Sequence, residues 1–202
     1  MIGVMLQGLD YFGTAVFAVT GALVADRKRM DLMGFLILAT VTGIGGGTLR
    51  DLLLDRPVFW LTQWEYLVIA AVTAIITFYV SKPFHQRANW LPWADAVGLA
   101  AFCVIGTQIA LSMDANPMIA VMMGIMTAAF GGLIRDVLAG EPPLLLHREI
   151  YASAALAGGI VYVLFAHWLD WSIAAVILGF AVTLVVRGLG IRYHWHLPSA
   201  NR

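Results

Sequence analysis

Apolar residues fill the chain in long unbroken stretches, and polar residues gather into short connections between them. Such stretches lie near 5–25, 32–54, 64–80, 94–111, 117–139, 149–167 and 171–189, each close to the roughly 17–25 residues that cross a bilayer as a helix. They predict seven membrane-spanning helices. The connections carry the breakers: Asp26 to Asp31, Asp55-Arg56-Pro57, Ser81 to Pro92, Asp114 to Pro117, Glu141-Pro142-Pro143 and His167 to Trp171. A transmembrane β-barrel would alternate in segments of about ten residues, and runs such as Ile160 to Phe165 do not alternate. The expected fold class is an all-α integral membrane protein, a single transmembrane domain over 1–202 with no soluble domain.

Composition agrees: of 202 residues, 61% are hydrophobic and 12% charged, about half the charge of a soluble domain. Basic and acidic residues balance at 12 each, and no nucleic-acid partner is expected; membrane lipids are. With the N-terminus outside, the inner segments collect Arg27, Lys28, Arg29, Lys82, Arg87, Arg148, Arg187, Arg192 and Arg202, and the outer ones only Arg56. The positive-inside rule then puts the C-terminus in the cytoplasm of a prokaryotic cell, the chain crossing its inner membrane several times. Trp60, Trp64, Trp90, Trp93, Trp168, Trp171 and Trp195 fall near span ends and read as an interfacial belt. The single Cys103 excludes a disulfide and reads as a small buried hydrophobe. With no basic leader or small-residue cleavage site ahead of it, the first span is expected to stay in the mature protein.

Shifting the chain against itself by 85 residues lays Gly46-Gly47-Thr48-Leu49-Arg50-Asp51 on Gly131-Gly132-Leu133-Ile134-Arg135-Asp136. The same ungapped register pairs Asp10 with Asp95, Gly13 with Gly98, Phe17 with Phe102, Gly21 with Gly106, Pro57 with Pro142 and Tyr66 with Tyr151. Between 10–80 and 95–165, about 19 of 71 positions are identical. Each copy, about 8–80 and about 93–165, holds three spans. An odd number makes the second enter the membrane from the opposite side, an inverted repeat of the kind that holds transport sites at the midplane between copies. The seventh helix, about 171–189, has no counterpart and is expected to brace the bundle.

Three consecutive glycines in Thr42 to Thr48 have low helix propensity, so a break or kink is expected, with carbonyls at Gly45, Gly46 and Gly47 available to an ion. Gly131 and Gly132 predict a milder bend in the copy. Close helix packing through small residues is the other reading. Arg50 and Arg135 each cost about 2.5–3.5 kcal/mol inside hydrocarbon and need a partner, water or a route to the interface by snorkelling. Asp51 and Asp136 follow them directly but point about 100° away around a helix. Carboxylates from other spans, Asp10 and Asp95 among them, therefore look the better partners, in contacts crossing between helices. His147, His167, His194 and His196 form no metal motif. Met113, Met118, Met122, Met123 and Met126 make an apolar patch that suits packing better than copper. No nucleotide, metalloprotease or nucleophile-elbow motif is present, so neither an enzyme nor a cofactor is expected.

Two copies of Gly-Gly-x-x-Arg-Asp, at 46–51 and 131–136, each followed by proline at 57 or 142 in a seven-span chain near 200 residues, resemble the prokaryotic trimeric intracellular cation channels. That family is also described as a glycine transporter domain family, and the likeness runs from Leu9 to about Leu189. The resemblance implies a homotrimer with a pore in each subunit, passing monovalent cations, potassium or sodium, with potassium the physiological ion. It also implies that the second and fifth spans kink at their glycines and line the pathway, where Gly45, Gly46, Gly47, Arg50, Asp51, Gly131, Gly132, Arg135 and Asp136 fall. The chain stops at Arg202, without the charged tail of the longer eukaryotic members, so a regulatory phosphoinositide is not expected. Bare arginines would repel a cation, so the aspartates must neutralise them or the arginines must belong to a gate. The competing expectation is a secondary transporter of a small zwitterion such as glycine.

Overall fold

The computed structural model describes residues 2–80, 90–146, 150–169 and 171–195. Lys82, Arg87, Arg148 and Arg202, on which the expected orientation leans, lie outside them, as do His147 and His196. The described residues form eight helices and no strand: α1 (Ile2–Arg27), α2 (Leu32–Leu53), α3 (Phe59–Thr62), α4 (Glu65–Val80), α5 (Trp90–Ser112), α6 (Pro117–Leu138), α7 (Ala152–Val163) and α8 (Ser172–Tyr193). A π-helical turn, Leu164–Trp168, extends α7, and a 3-10 turn, Leu144–Leu146, precedes it. Five helices, α1, α2, α5, α6 and α8, are long and apolar enough to cross a membrane; α4 and extended α7 are shorter apolar helices. The short α3 was not expected from the hydropathy.

Matching ends bound the glycine-bearing helices. Asp31 caps α2 by accepting the Gly34 N–H at 2.8 Å, and Asn116 caps α6 by accepting the Met118 N–H at 2.9 Å, with Pro117 at the first helical position. After α2, Asp55 turns left-handed at φ 51°; after α6, Gly140 does so at φ 64°. Each turn lets the next N–H reach back into the last helical turn, Arg56 to the Asp51 carbonyl at 3.0 Å and Glu141 to that of Asp136 at 2.9 Å. Arg29 and Asp114, also left-handed, sit at corresponding places beyond α1 and α5. The caps, the left-handed residues and the N–H groups that reach back all recur 85 residues apart.

Small residues bring the helices close. A Cβ on Gly13 would stand 3.2 Å from the Ala101 Cβ and 3.4 Å from the Phe102 ring, and one on Gly98 would collide with the Phe17 ring. Residues ascending along α1 meet residues descending along α5, so the two run antiparallel. Phe17 and Phe102 lie between them with ring centroids 5.1 Å apart. Cys103 is buried in the same core, its thiol donating to the Ala155 carbonyl at 3.0 Å. Helix α8 packs against α5 and α7, with Gly158 beneath Thr183 and Gly179 against Val104 and Tyr162. The outer surface is apolar: Ile37, Ile76 and Ile177 are each 57% exposed, as suits side chains that face lipid rather than water.

The break expected at Gly45 to Gly47 does not occur. Helix α2 stays helical from Leu32 to Leu53 and α6 from Pro117 to Leu138. Tertiary packing overrides propensity here, because an absent side chain is what the neighbouring helix requires.

Candidate functional site

Helices α2 and α6 cross at their glycines. A Cβ on Gly46 would overlap the Thr127 carbonyl oxygen, and one on Gly131 would overlap that of Thr42. The contact is reciprocal, each helix laying a threonine carbonyl over the other's glycine, close enough for Cα–H···O attraction. Thr42 and Thr127 turn their hydroxyls back onto the carbonyls of Leu38 (2.5 Å) and Met123 (2.6 Å). Gly21 and Gly106 make room for these threonines, since a Cβ there would lie 2.6 Å and 2.5 Å from the respective hydroxyl oxygens. Gly45 faces Ile134, Gly47 the Phe59 ring, and Gly132 a space bounded by Tyr151, Asp95 and Arg135.

One turn further along each helix comes the Arg-Asp pair. Arg50 donates through Nε to Asp51 Oδ1 at 2.8 Å, and the other carboxylate oxygen accepts the Phe59 N–H at 2.9 Å. Arg56 adds a second cation 3.5 Å from Asp51 Oδ1, and the Arg50 guanidinium lies 5.7 Å from the centre of the Phe59 ring. In the second half Arg135 donates through Nε to Asp136 Oδ1 at 2.9 Å, and Asp136 Oδ2 accepts the Leu144 N–H at 2.9 Å. Each aspartate thus neutralises its arginine and ties down the segment that returns after Pro57 or Pro142. These side chains are essentially buried, so the arginines do not snorkel.

The adjacent pairing corrects the expectation drawn from the helical angle. That angle describes Cα–Cβ directions, whereas Nε lies three bonds beyond Cβ and swings back over the next residue. The expectation of partners from other helices holds in the second half alone. Arg135 Nη1 donates to Asp95 Oδ1 at 3.0 Å and to the Thr20 hydroxyl at 2.9 Å. Asp10, the counterpart of Asp95, instead accepts the Tyr66 hydroxyl at 2.9 Å.

The two clusters differ in access. Asp10 is partly buried and borders a polar cavity of about 260 Å³ with Arg50, Arg56, Gln63, Tyr66 and Gln108. Asp95, Arg135 and Tyr151 are at most 1% exposed, and Arg187 of α8 closes over the second cluster, its guanidinium 5.1 Å from the Tyr151 ring centre. Arg187 Nη1 also donates to the Ile150 carbonyl at 3.3 Å. From the sequence, Arg187 counts with the inner basic residues and Arg56 as the one outer basic residue, and neither they nor Thr20 stand out as site residues. Tyr66 and Tyr151 were visible as identities in the 85-residue register; their place beside Asp10 and Asp95 was not. Among the described residues, no group of three or more His, Cys, Asp or Glu side chains is gathered as a metal site would need.

This duplicated helical frame has relatives. The profile of the family described as "Glycine transporter" matches twice, over residues 7–82 and 92–167. An inner membrane protein of Escherichia coli K12, YadS, is 46% identical over 201 residues, covering 96% of each chain. The Bacillus subtilis membrane protein YvgT is 40% identical over 196 residues, covering 96% of this chain and 95% of that one. Among solved structures, a trimeric intracellular cation (TRIC) channel orthologue from Rhodobacter sphaeroides superposes with a TM-score of 0.91 at 44% identity, covering 95% of this chain and 99% of that one. A prokaryotic TRIC channel determined in 0.5 M KCl gives 0.89 at 31% identity, with coverage of 96% and 99%. The chain belongs to this family, and its fold is that of the TRIC channels.

Proposed function

We propose that the protein is a monovalent cation channel, potassium being its main ion and sodium also permeant, with a pathway in each subunit of a homotrimer. The observation that carries the reading is the neutralisation of both intramembrane arginines. A cation in the polar cavity meets the Asp10 carboxylate, while Asp51 engages both guanidinium groups that share the lining, Arg50 and Arg56. The likeness to TRIC channels supports ion, fold and trimer together.

Seven crossings, with α3 a short turn that does not cross, suit the contacts at the helix ends. Arg27 and Lys28, at the end of α1, approach Glu141, just beyond α6, at 3.4 Å and 3.5 Å. Asp10, Arg50 and Tyr66 gather at the opposite end. The N-terminus outside and the C-terminus in the cytoplasm of the inner membrane complete the topology. Inversion of the second copy is supported by the reciprocal contacts of Gly13 with Phe102 and Phe17 with Gly98, and of Gly46 with Thr127 and Thr42 with Gly131. A pathway between inverted halves passes the crossing of α2 and α6, so Gly45, Gly46, Gly47, Gly131 and Gly132 are where these helices bend apart on opening. Arg50 and Arg135, with Asp51, Asp136, Asp10 and Asp95, form the charge network that gates it.

Planar-bilayer recording in potassium chloride gradients tests the reading, with labelled glycine uptake into parallel liposomes. Unitary currents reversing near the potassium potential are expected. Saturable glycine uptake without such currents would make the protein a carrier, the competing reading that the family description favours. Arg50→Ala and Arg135→Ala are each expected to change open probability or its voltage dependence; if neither does, the arginines do not gate.

A further inference from the structure

Helix α8 lies in a groove of the second half, and the first half has the same groove with no helix of the described residues in it. In the second half Gly179 of α8 sits between α5 and α7, where a Cβ would stand 3.2 Å from both Val104 and Tyr162. Ala175 and Val176 pack into the same cluster, with Phe165 beside them. The 85-residue register puts Val19, Thr77 and Val80 in the places of Val104, Tyr162 and Phe165. Between α1 and α4 these three line an open cavity of about 300 Å³, with Leu23, Ile76 and Trp90 at its sides. The missing cover shows in the burial: Val104 and Tyr162 are 0% and 3% exposed, whereas Val19 and Thr77 are half-buried and Ile76 and Val80 are largely exposed.

We infer that this groove is a contact surface between copies of this chain, an apolar helix of a neighbouring subunit lying between α1 and α4 as α8 lies between α5 and α7. The inference rests on the homotrimer of the proposed function and assigns it a face. The neighbour's α8 is seated on its own subunit, so another helix enters the groove, and the contact is heterologous, the kind that closes copies into a ring. Helices in lipid gain nothing from the hydrophobic effect when they meet, so close packing must hold such a contact, and a preformed groove supplies it. The Thr77 hydroxyl donates to the Thr73 carbonyl at 2.8 Å and so asks nothing of the incoming helix. Thr77 and Val80 are smaller than the Tyr162 and Phe165 they replace, which leaves room for side chains longer than the glycine that α8 presents. The groove lies towards the Arg27 end of α1, away from Asp10, so the neighbour leaves the polar cavity uncovered.

Photocrosslinking of the full-length protein in lipid nanodiscs tests the surface, with native mass spectrometry reading the oligomeric state. A benzophenone is attached through a maleimide to Ile76→Cys or Val80→Cys in the groove, and to Met118→Cys or Ile177→Cys on other exposed apolar faces. The wild type, whose single cysteine is buried, is the control. Light is expected to give several-fold more covalent dimer from Ile76→Cys and Val80→Cys than from the other two. A trimer by mass whose crosslinks run instead from Met118→Cys or Ile177→Cys overturns the surface and leaves the trimer standing. A trimer whose groove labels react with lipid alone overturns it as well, and makes the groove a seat for acyl chains. Monomers alone overturn the trimer, and the inference falls with it. Thr77→Trp, which puts an indole into the groove, is expected to reduce the trimer several-fold while circular dichroism stays helical; an undiminished trimer in that folded variant overturns the surface.

Discussion

Asp10 and Asp95 occupy equivalent positions in the two copies, yet their surroundings differ. Asp95 is sealed from solvent and bound to Arg135, whereas Asp10 is partly accessible and bound to a tyrosine hydroxyl. Removing one member of a buried ion pair costs about 3–5 kcal/mol, because the remaining charge has no water to turn to. Asp95→Asn keeps the shape and takes away the charge, and Asp136 still balances Arg135 in part, so the cost should fall at or below the low end of that range. Asp10→Asn keeps an acceptor for Tyr66 and should cost under about 1 kcal/mol. Thermal unfolding in detergent reads the difference: the Asp95 variant should melt well below the wild type and the Asp10 variant close to it. Equal melting temperatures would mean that Asp95 is not the charge partner Arg135 depends on.

Among the elements, α2 and α6 are built alike from cap to terminus, and the exception is informative. Both end in a left-handed residue, glycine at 140 but aspartate at 55. A side chain in that conformation costs about 1 kcal/mol relative to glycine. Asp55→Gly should therefore stabilise the protein by up to about 1 kcal/mol, less whatever is lost through added freedom in the unfolded chain. Guided by the same register, Gly140→Ala should destabilise it, and a pair of melting curves checks both signs. Much at this level was legible from sequence. The seven apolar stretches each contain a helix within a few residues of the expected bounds. At the glycine run the helix does not break, because propensity describes an isolated helix, while here Thr127 and Thr42 occupy the space that Gly46 and Gly131 leave.

For the whole molecule, sequence revealed the duplication because its constraints fall on glycine, arginine, aspartate and proline, residues that a merely apolar helix does not need. It concealed what depends on side-chain reach or on contacts with an unduplicated element. The adjacent Arg-Asp pairs belong to the first kind. The four-residue α3 and Arg187 belong to the second: α3 is too short to show a period, and Arg187 has no partner position in the other copy to mark it as unusual. Helix α8 covers the cluster of Arg135 and Tyr151, and among the described residues no helix lies in the equivalent place over that of Arg50 and Tyr66. Two equal halves related by a two-fold axis would offer an ion the same energy profile from either face. In the proposed channel, an extra helix over one cluster and not the other skews that profile, so the pathway should behave as a rectifier, with unequal current at equal and opposite voltages in symmetric potassium chloride. A linear current–voltage relation would show that α8 lies outside the conducting barrier, whereas rectification would trace the direction of flow to the one part of the chain that duplication did not supply.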